Sequence, residues 1–321
     1  MKKAAILGLA ILLAAAWLVS APVRSDAKGA ALIVETKGDV KVQRAGKQKA
    51  VSGKFSLEWG DKVIVSGGSA TVLYASGKKV VVKDAHDITE ANAKVEGKAG
   101  SKAASAVVAS ASSDLKAKNG LGGVTRAAGD APELTVLAFN NTATTDTRPV
   151  FAWEAPENAG AVTFTLYDEN FEELWAAKTD KNVLPWPEDK DPLQQGMEYT
   201  FMVSADVDGT PVDKDGAFFI LDEKAAAEVM ETVDAINTDY SAEDDLVIRH
   251  LLLAQYYKQN EMYMDAADQL KALAALDEND IYAWNELALV YKEMGMKSKL
   301  EQALAKIAEL EEKFGAQDDT F

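Results

Sequence analysis

The residues that could carry chemistry are few and scattered. The chain has no Cys and only two His. Without Cys there is no disulfide, no thiolate nucleophile and no thiolate metal ligand. His86 and His250 lie in unrelated segments, which suits surface or structural roles better than that of a general base. Asp84, His86 and Asp87 are close in sequence, but adjacent residues at a strand end point apart and do not converge on an ion. Asp206, Asp208, Asp213 and Asp215 in DVDGTPVDKDG have the density of a calcium loop. An EF-hand needs a further ligand at fixed spacing and a closing Glu, and both are missing. Between two strands, Asp-Gly pairs are ordinary hairpin residues. There is no phosphate-binding loop, no G-x-G-x-x-G between strand and helix, and no G-x-S-x-G. The acidic runs PEDKD (187–191) and DEND (277–280) read as solvated loops. We expect no enzyme, no cofactor and no metal.

The elements that would position any site fall into blocks of different charge and period. Lys2 and Lys3 precede an uncharged run from Ala4 to Val23, and Ser25 and Ala27 fit the small-residue rule for a signal-peptidase site. Cleavage after Ala27 would make 1–27 a signal peptide. The alternative is an uncleaved anchor, since twenty apolar residues just span a bilayer. Either way the remainder is expected to be exported: periplasmic, held at the inner membrane, or secreted. Residues 28–126 carry 17 Lys/Arg against 9 Asp/Glu, a net of +8, whereas 127–321 carry 14 against 41, a net of −27. The basic part can dock on its own acidic half or reach outward to an anionic envelope polymer. We expect weak, salt-sensitive contact within the molecule. The lysines accompany no nucleic-acid motif, so nucleic acid is not an expected partner.

Residues 28–91 read as a small all-β domain. ALIVETKGDVKVQR places Val40 and Val42 on one face, Lys41 and Gln43 on the other, with Gly38-Asp39 as its turn. GDKVIV follows, then a break at Gly67-Gly68, then SATVLYASGKKVVV as a hairpin with Ser76-Gly77 at the tip. Ala70, Val72 and Tyr74 should line one face, Thr71 and Leu73 the other. GDV at 38–40, LEWGDKVIV at 57–65 and SATVLYASGKKVVV at 69–82 resemble the FecR-type domain, an extracytoplasmic β module of bacterial envelope proteins. That resemblance covers about 60 residues at turn and core positions and speaks to fold. Only Met1–Lys3 precede the apolar run, so the sigma-factor output segment of FecR-type regulators is not expected here.

Residues 92–131, rich in Ala, Ser, Gly and Lys, read as a linker; Ala content would allow a weak helix over Ser101–Lys118, but its Ser residues and lack of a large apolar face argue for mobility. Residues 132–221 return to strands: PVFAWEAP, AVTFTLYDE, ELWAAKT, YTFMVSADVDG and AFFIL. They resemble a fibronectin type III or other immunoglobulin-like sandwich. LQQGMEYTFMVSA resembles that family's approach into a central strand, which implies that Tyr199 ties a corner to the backbone, with Trp153 and Trp175 in the core.

From Asp222 the period becomes helical. EKAAAEVMETVDAI (223–236) is one amphipathic helix, and a 34-residue repeat follows. Leu253 matches Leu287, Ala254 matches Ala288, Tyr257 matches Tyr291, Leu270 matches Leu304 and Leu273 matches Ile307. The pair, 247–280 and 281–314 within a helical domain 222–315, resembles the tetratricopeptide repeat; 316–321 is a tail. Two repeats rarely stand alone, so the 223–236 helix should pack on the first. The resemblance implies a concave face lined by Leu251, Gln255, Lys258, Asn285, Leu289 and Lys292, where two Lys and an Asn would hold a carboxylate of a peptide partner. The plainer reading is that these are ordinary exposed helix residues. The whole reads as a multidomain, non-enzymatic envelope scaffold or adaptor with protein partners at the repeats. A sensory component relaying a ligand-dependent change to a membrane protein is the alternative, and the oligomeric state is left open.

Overall fold

The structure, a computed structural model, describes residues 30–94, 104–105, 108–109 and 134–314. The expected signal segment 1–27, most of the expected linker and the tail lie outside the described residues. Among the described residues no helix is long and apolar enough to cross a membrane.

The chain is laid out as β-sheets followed by helices. The first sheet holds β1 (Ala31–Arg44), β2 (Lys47–Ala50), β3 (Phe55–Leu57), β4 (Lys62–Tyr74), β5 (Lys79–Val82) and β6 (Ala85–Asp87). Its order is β2-β1-β4-β5, with β3 on β1 and β6 on β4. The Gly-containing steps expected as a turn and a break are neither. β1 runs through Gly38 and β4 through Gly67-Gly68, and the two strands pair antiparallel along nearly their whole lengths, with a register shift between Gly38 and Asp39. The reason is clearance: a Cβ on Gly38 would lie 2.0 Å from Gly67 O, and one on Gly68 1.8 Å from Lys37 O. Glycine lets both backbones approach and bend together. Ser76-Gly77 do sit in the β4–β5 turn, closed by Gly77 N donating to Tyr74 O.

Alternation gives this sheet two apolar faces. Ile33, Val40, Val42, Val72 and Tyr74 fill the module's own core. Leu32, Val34 and Leu73 face the other way, into a core shared with the helices. A short helix, α1 (Glu90–Ala93), capped by Thr89, buries Ala93 in the first core, so the module extends past residue 91.

The second β unit packs β11 (Glu173–Thr179), β10 (Val162–Tyr167), β13 (Glu198–Val207), β14 (Thr210–Ile220) and β8 (Thr142–Thr144), in that order, against β12 (Val183–Pro185), β9 (Val150–Glu154) and β7 (Thr135–Val136). The core between the sheets is aromatic, with Phe151 4.5 Å from Phe164 and 5.3 Å from Phe201 between ring centres. Trp153 is buried there and Trp175 half-buried. Tyr199 Oη accepts from Gln194 N at 2.8 Å and donates to Gln194 O at 3.2 Å, tying the corner before β13.

Five helices complete the chain: α2 (Glu223–Asp239), α3 (Leu246–Gln259), α4 (Tyr263–Leu276), α5 (Ile281–Glu293) and α6 (Lys297–Phe314). Asp222 caps α2, accepting from Ala225 N at 2.7 Å. Val229, Val233 and Ile236 of α2 pack with Ile248 and Leu252 of α3, as expected of a fifth helix. Glu261, which replaces the glycine of the second repeat, adopts φ 57°, beside 65° for Gly295. Its carbonyl accepts from Ala143 N at 2.9 Å and Thr142 Oγ1 at 3.1 Å, bonds that help hold a left-handed, non-Gly turn.

Two expectations need correction. Ala104 and Val108, in the stretch expected to be mobile rather than a weak helix, are helical and fully buried in the core that joins the first sheet to α2 and α3. Contact within the molecule is likewise built on an apolar core, edged by the buried Lys54–Asp280 pair and the partly exposed Lys79–Asp245 pair. The glycine crossing yields a direct test. Gly68→Ala should cost about 3 kcal/mol, because strand separation or backbone strain must relieve the clash. Thermal melting with loss under about 1 kcal/mol would show that the strands do not meet there.

Candidate functional site

The face expected to receive a peptide is built from the first helix of each repeat, α3 and α5. The structure brings the six expected residues onto these helices but not into one open groove. Leu251 and Gln255 are buried, Lys258, Asn285 and Leu289 are half-buried, and Lys292 is exposed. Leu251 lies in the core shared with the first sheet, so it cannot meet an incoming peptide while that core is formed. Gln255 Nε2 donates to Tyr282 Oη at 2.7 Å and to Glu286 Oε2 at 2.8 Å. Lys258 pairs with the same Glu286 carboxylate, which is 2% exposed. Of the two Lys and one Asn expected to hold a foreign carboxylate, Lys258 is thus engaged by an internal one.

Both β units grip the ends of these helices. At the N-terminal ends, Lys54 pairs with Asp280, the cap of α5, and Lys79 with Asp245, before α3. The Lys54 and Asp280 side chains are 3% and 8% exposed, so water hardly screens them. Asp280 Oδ1 also accepts from Tyr282 N at 3.1 Å and Ala283 N at 3.3 Å. The Lys54 ammonium lies 5.4 Å from the centre of the Tyr282 ring, at cation–π distance. Tyr240 Oη donates to Gly77 O at 2.8 Å, and burial pushes this phenol up to about 12. At the C-terminal ends, Asn140 Nδ2 donates to Met294 O at 2.6 Å, Asn141 Nδ2 to Glu293 O at 2.8 Å, and Thr142 Oγ1 to Glu261 O. The sandwich thus bonds the carbonyl of Glu293, the last residue of α5, and carbonyls just beyond the ends of α3 and α5, while local backbone N–H groups close most of the remaining end carbonyls.

None of these gripping residues was expected as a site residue. The visible signals were the charge division and Asp280 immediately before an apolar period; the pairing of Lys54 with it spans 226 positions. Asp61, from the L-x-x-G-D step, has a structural role: its carboxylate receives Arg44 Nε at 2.9 Å and Nη2 at 2.7 Å, and Glu58 N at 2.8 Å. Those hydrogen bonds raise the Arg44 pKa above its ordinary value. His86 Nε2 lies 2.7 Å from Tyr74 Oη, and desolvation lowers its pKa. Asp206 accepts from Gly209 N at 2.7 Å in the β13–β14 turn, a hairpin role. Among the described residues, no three His, Asp or Glu side chains are grouped to hold a metal.

No family model matches this chain, and no curated protein matches it. Solved structures give distant likenesses. The FN1–FN3 domains of chicken CNTN1 are 10% identical, with 58% of this chain and 57% of that one covered and a TM-score of 0.18. A beta-1,2-glucanase from Parabacteroides distasonis is 8% identical over 88% and 49%, with a TM-score of 0.22. A beta-D-glucuronidase of Dictyoglomus thermophilum is 8% identical over 89% and 61%, with a TM-score of 0.23. This chain spans less than two thirds of each.

Two predictions follow from the gripped helices. Lys54→Met should destabilise the protein by about 3 kcal/mol, because Asp280 stays buried without its cation. Lys54→Met with Asp280→Asn should cost less than the single change; a double mutant no better than the single one would show that the pair is not coupled. Asp265, at the start of α4, is raised to about 6 by burial, then by Asp268 and Asp146. Its folded value lies above the unfolded 3.8, so the stability of the protonated form is complete below about pH 4 and lost as pH rises through 6. Asp265→Asn should therefore add on the order of 2 kcal/mol at pH 8 and nothing below pH 4. Parallel melting profiles for both proteins across that range would contradict this.

Proposed function

We propose that the chain is a non-enzymatic scaffold or adaptor of the bacterial envelope, exported by its N-terminal segment. In this reading it joins a FecR-like β module, an immunoglobulin- or fibronectin III-like sandwich and two tetratricopeptide-like repeats. The two-sheet sandwich with its Tyr199 corner supports the second assignment, and burial of the 34-residue repeat positions Leu253, Leu287, Leu270 and Ile307 supports the third. The observation that carries the function is how the helical face is used. Its ends are held by the chain's own β units, so partner contact falls to surfaces turned outward. On the basic module those surfaces carry Lys37, Lys47 and Lys83, all exposed. An anionic envelope polymer fits them, since dispersed lysines gain from a dense polyanion what no single surface pair supplies.

The test uses the chain without residues 1–27 on an immobilised anionic polysaccharide. Retention is expected at low salt, with release by about 0.5 M, where screening is strong. Charge reversal of Lys37, Lys47 and Lys83 together should abolish retention without changing the melting temperature. Retention indifferent to salt or to the triple reversal would overturn the polymer reading.

A further inference from the structure

Among the described residues Trp153 and Trp186 are buried, Trp175 and Trp284 are half-buried, and Trp59 is the exposed tryptophan, at 49%. It sits in the turn between β3 and β4, and that turn is stiff. Asp61 N donates to Glu58 O at 3.1 Å, and Glu58 N to the Asp61 carboxylate at 2.8 Å. Gly60 N donates to Ile88 O at 2.9 Å and Ile88 N to Asp61 O at 2.8 Å, which clamps the turn to the chain just after β6. The indole stacks on the buried Tyr74 ring, 6.5 Å between centres and 25° from parallel. Tyr74 is itself fixed, its Oη lying 2.7 Å from His86 Nε2. We propose that Trp59 is a stacking platform for one pyranose ring of the anionic polysaccharide, adding recognition of the ring to the charge attraction of the lysines.

A single exposed apolar side chain signifies nothing by itself. Here three features coincide. The ring is held in place from beneath and by the backbone clamp, so little freedom is lost when a ligand packs on it. Its indole N–H has no hydrogen-bond partner among the described residues, which leaves a donor for a sugar hydroxyl beside an apolar surface for the sugar's C–H face. The position also continues the lysine surface. Lys47 is the strand partner of Arg44, and Arg44 reaches Glu58 at 3.3 Å and Asp61 at 2.7 Å, the residues that flank the Trp59-Gly60 step. A polymer several sugar units long that is held at Lys47 therefore spans to the indole. The charges at the turn are already matched, Arg44 by Glu58 and Asp61, and Lys62 by Asp87 at 3.4 Å. The turn thus suits the face of a ring rather than a bare anion. The platform rests on the polymer reading and narrows it to polymers built of sugar rings.

The test sets two polyanions against the chain without residues 1–27: polygalacturonate, which is made of pyranose rings, and poly-L-glutamate, which has none. At low salt Trp59→Ala should weaken polygalacturonate binding about fivefold or more, the scale of one aromatic stacking contact, and leave poly-L-glutamate binding within about twofold. That substitution also removes the stack on Tyr74, so the unsubstituted protein supplies a second measurement. Oxidation of Trp59 by N-bromosuccinimide, read by mass spectrometry of its peptide, should slow about fivefold or more with polygalacturonate and less than about twofold with poly-L-glutamate. Equal weakening of both polymers by the substitution, or equal protection of Trp59 by both, would overturn the platform and leave the lysine reading standing. Binding of neither polymer to the unsubstituted protein would overturn the lysine reading and the platform with it.

Discussion

The arrangement depends on one apolar core that no single module owns. Leu32, Val34 and Leu73 leave the first sheet on its second face and meet Val233, Ile236, Leu251 and Leu252 of the helices. Two helical repeats expose flanks that further repeats would ordinarily cover. Here one flank is closed by α2 and another by a β-sheet. The sheet in turn gains a cover for a face that would otherwise expose β-branched and leucine side chains to water. Each unit supplies what the other lacks, which is why a chain of separate sequence blocks folds around a common interior.

Charge sets the register of this docking rather than its strength. An apolar interface is tolerant of sliding, because burial has no direction. Lys54 with Asp280 and Lys79 with Asp245 remove that freedom: each pair is met in one position of the sheet on the helices. Desolvation offsets much of their attraction, so a net stabilising role is small while the penalty for mispairing is large. The sandwich does the same at the opposite helix ends with neutral donors, which suit carbonyls carrying the negative end of the helix dipole. Lysine–carboxylate pairs hold the N-terminal ends of α3 and α5; at the opposite ends the Thr142 hydroxyl holds the turn after α3 and the Asn140 and Asn141 amides hold α5.

What was legible in the sequence follows the range of the interactions. Period-two alternation in ATVLY gave both faces of β4, including the outward Leu73, because pleating is a local property. The 34-residue match gave the helix packing positions for the same reason. Gly38 and Gly68 were misread as punctuation: local sequence shows that glycine is required but not whether for a turn or a close crossing. The pairing of lysines with caps was invisible, since it joins residues 166 and 226 positions apart. The burial of Ala104 and Val108 was not legible, because small residues carry too little apolar signal to mark a buried face. The six residues expected to line a groove lie on α3 and α5, but no repeat pattern within the helices reveals that a distant sheet packs over Leu251.

Closure from within also bears on how such a chain could transmit a signal. A ligand shifts an equilibrium only by its differential affinity for the two states. A polymer gripping outward lysines such as Lys37, Lys47 and Lys83 meets them equally in the docked and undocked forms, so it tethers the molecule without opening it. A partner that claimed Lys54 or the face around Leu251 would meet groups buried in the docked form, so its whole binding energy would act on the docking equilibrium. Outward contact therefore suits anchoring, and inward contact suits switching. The two roles use different residues of the same module, which permits both in one chain without either interfering with the other.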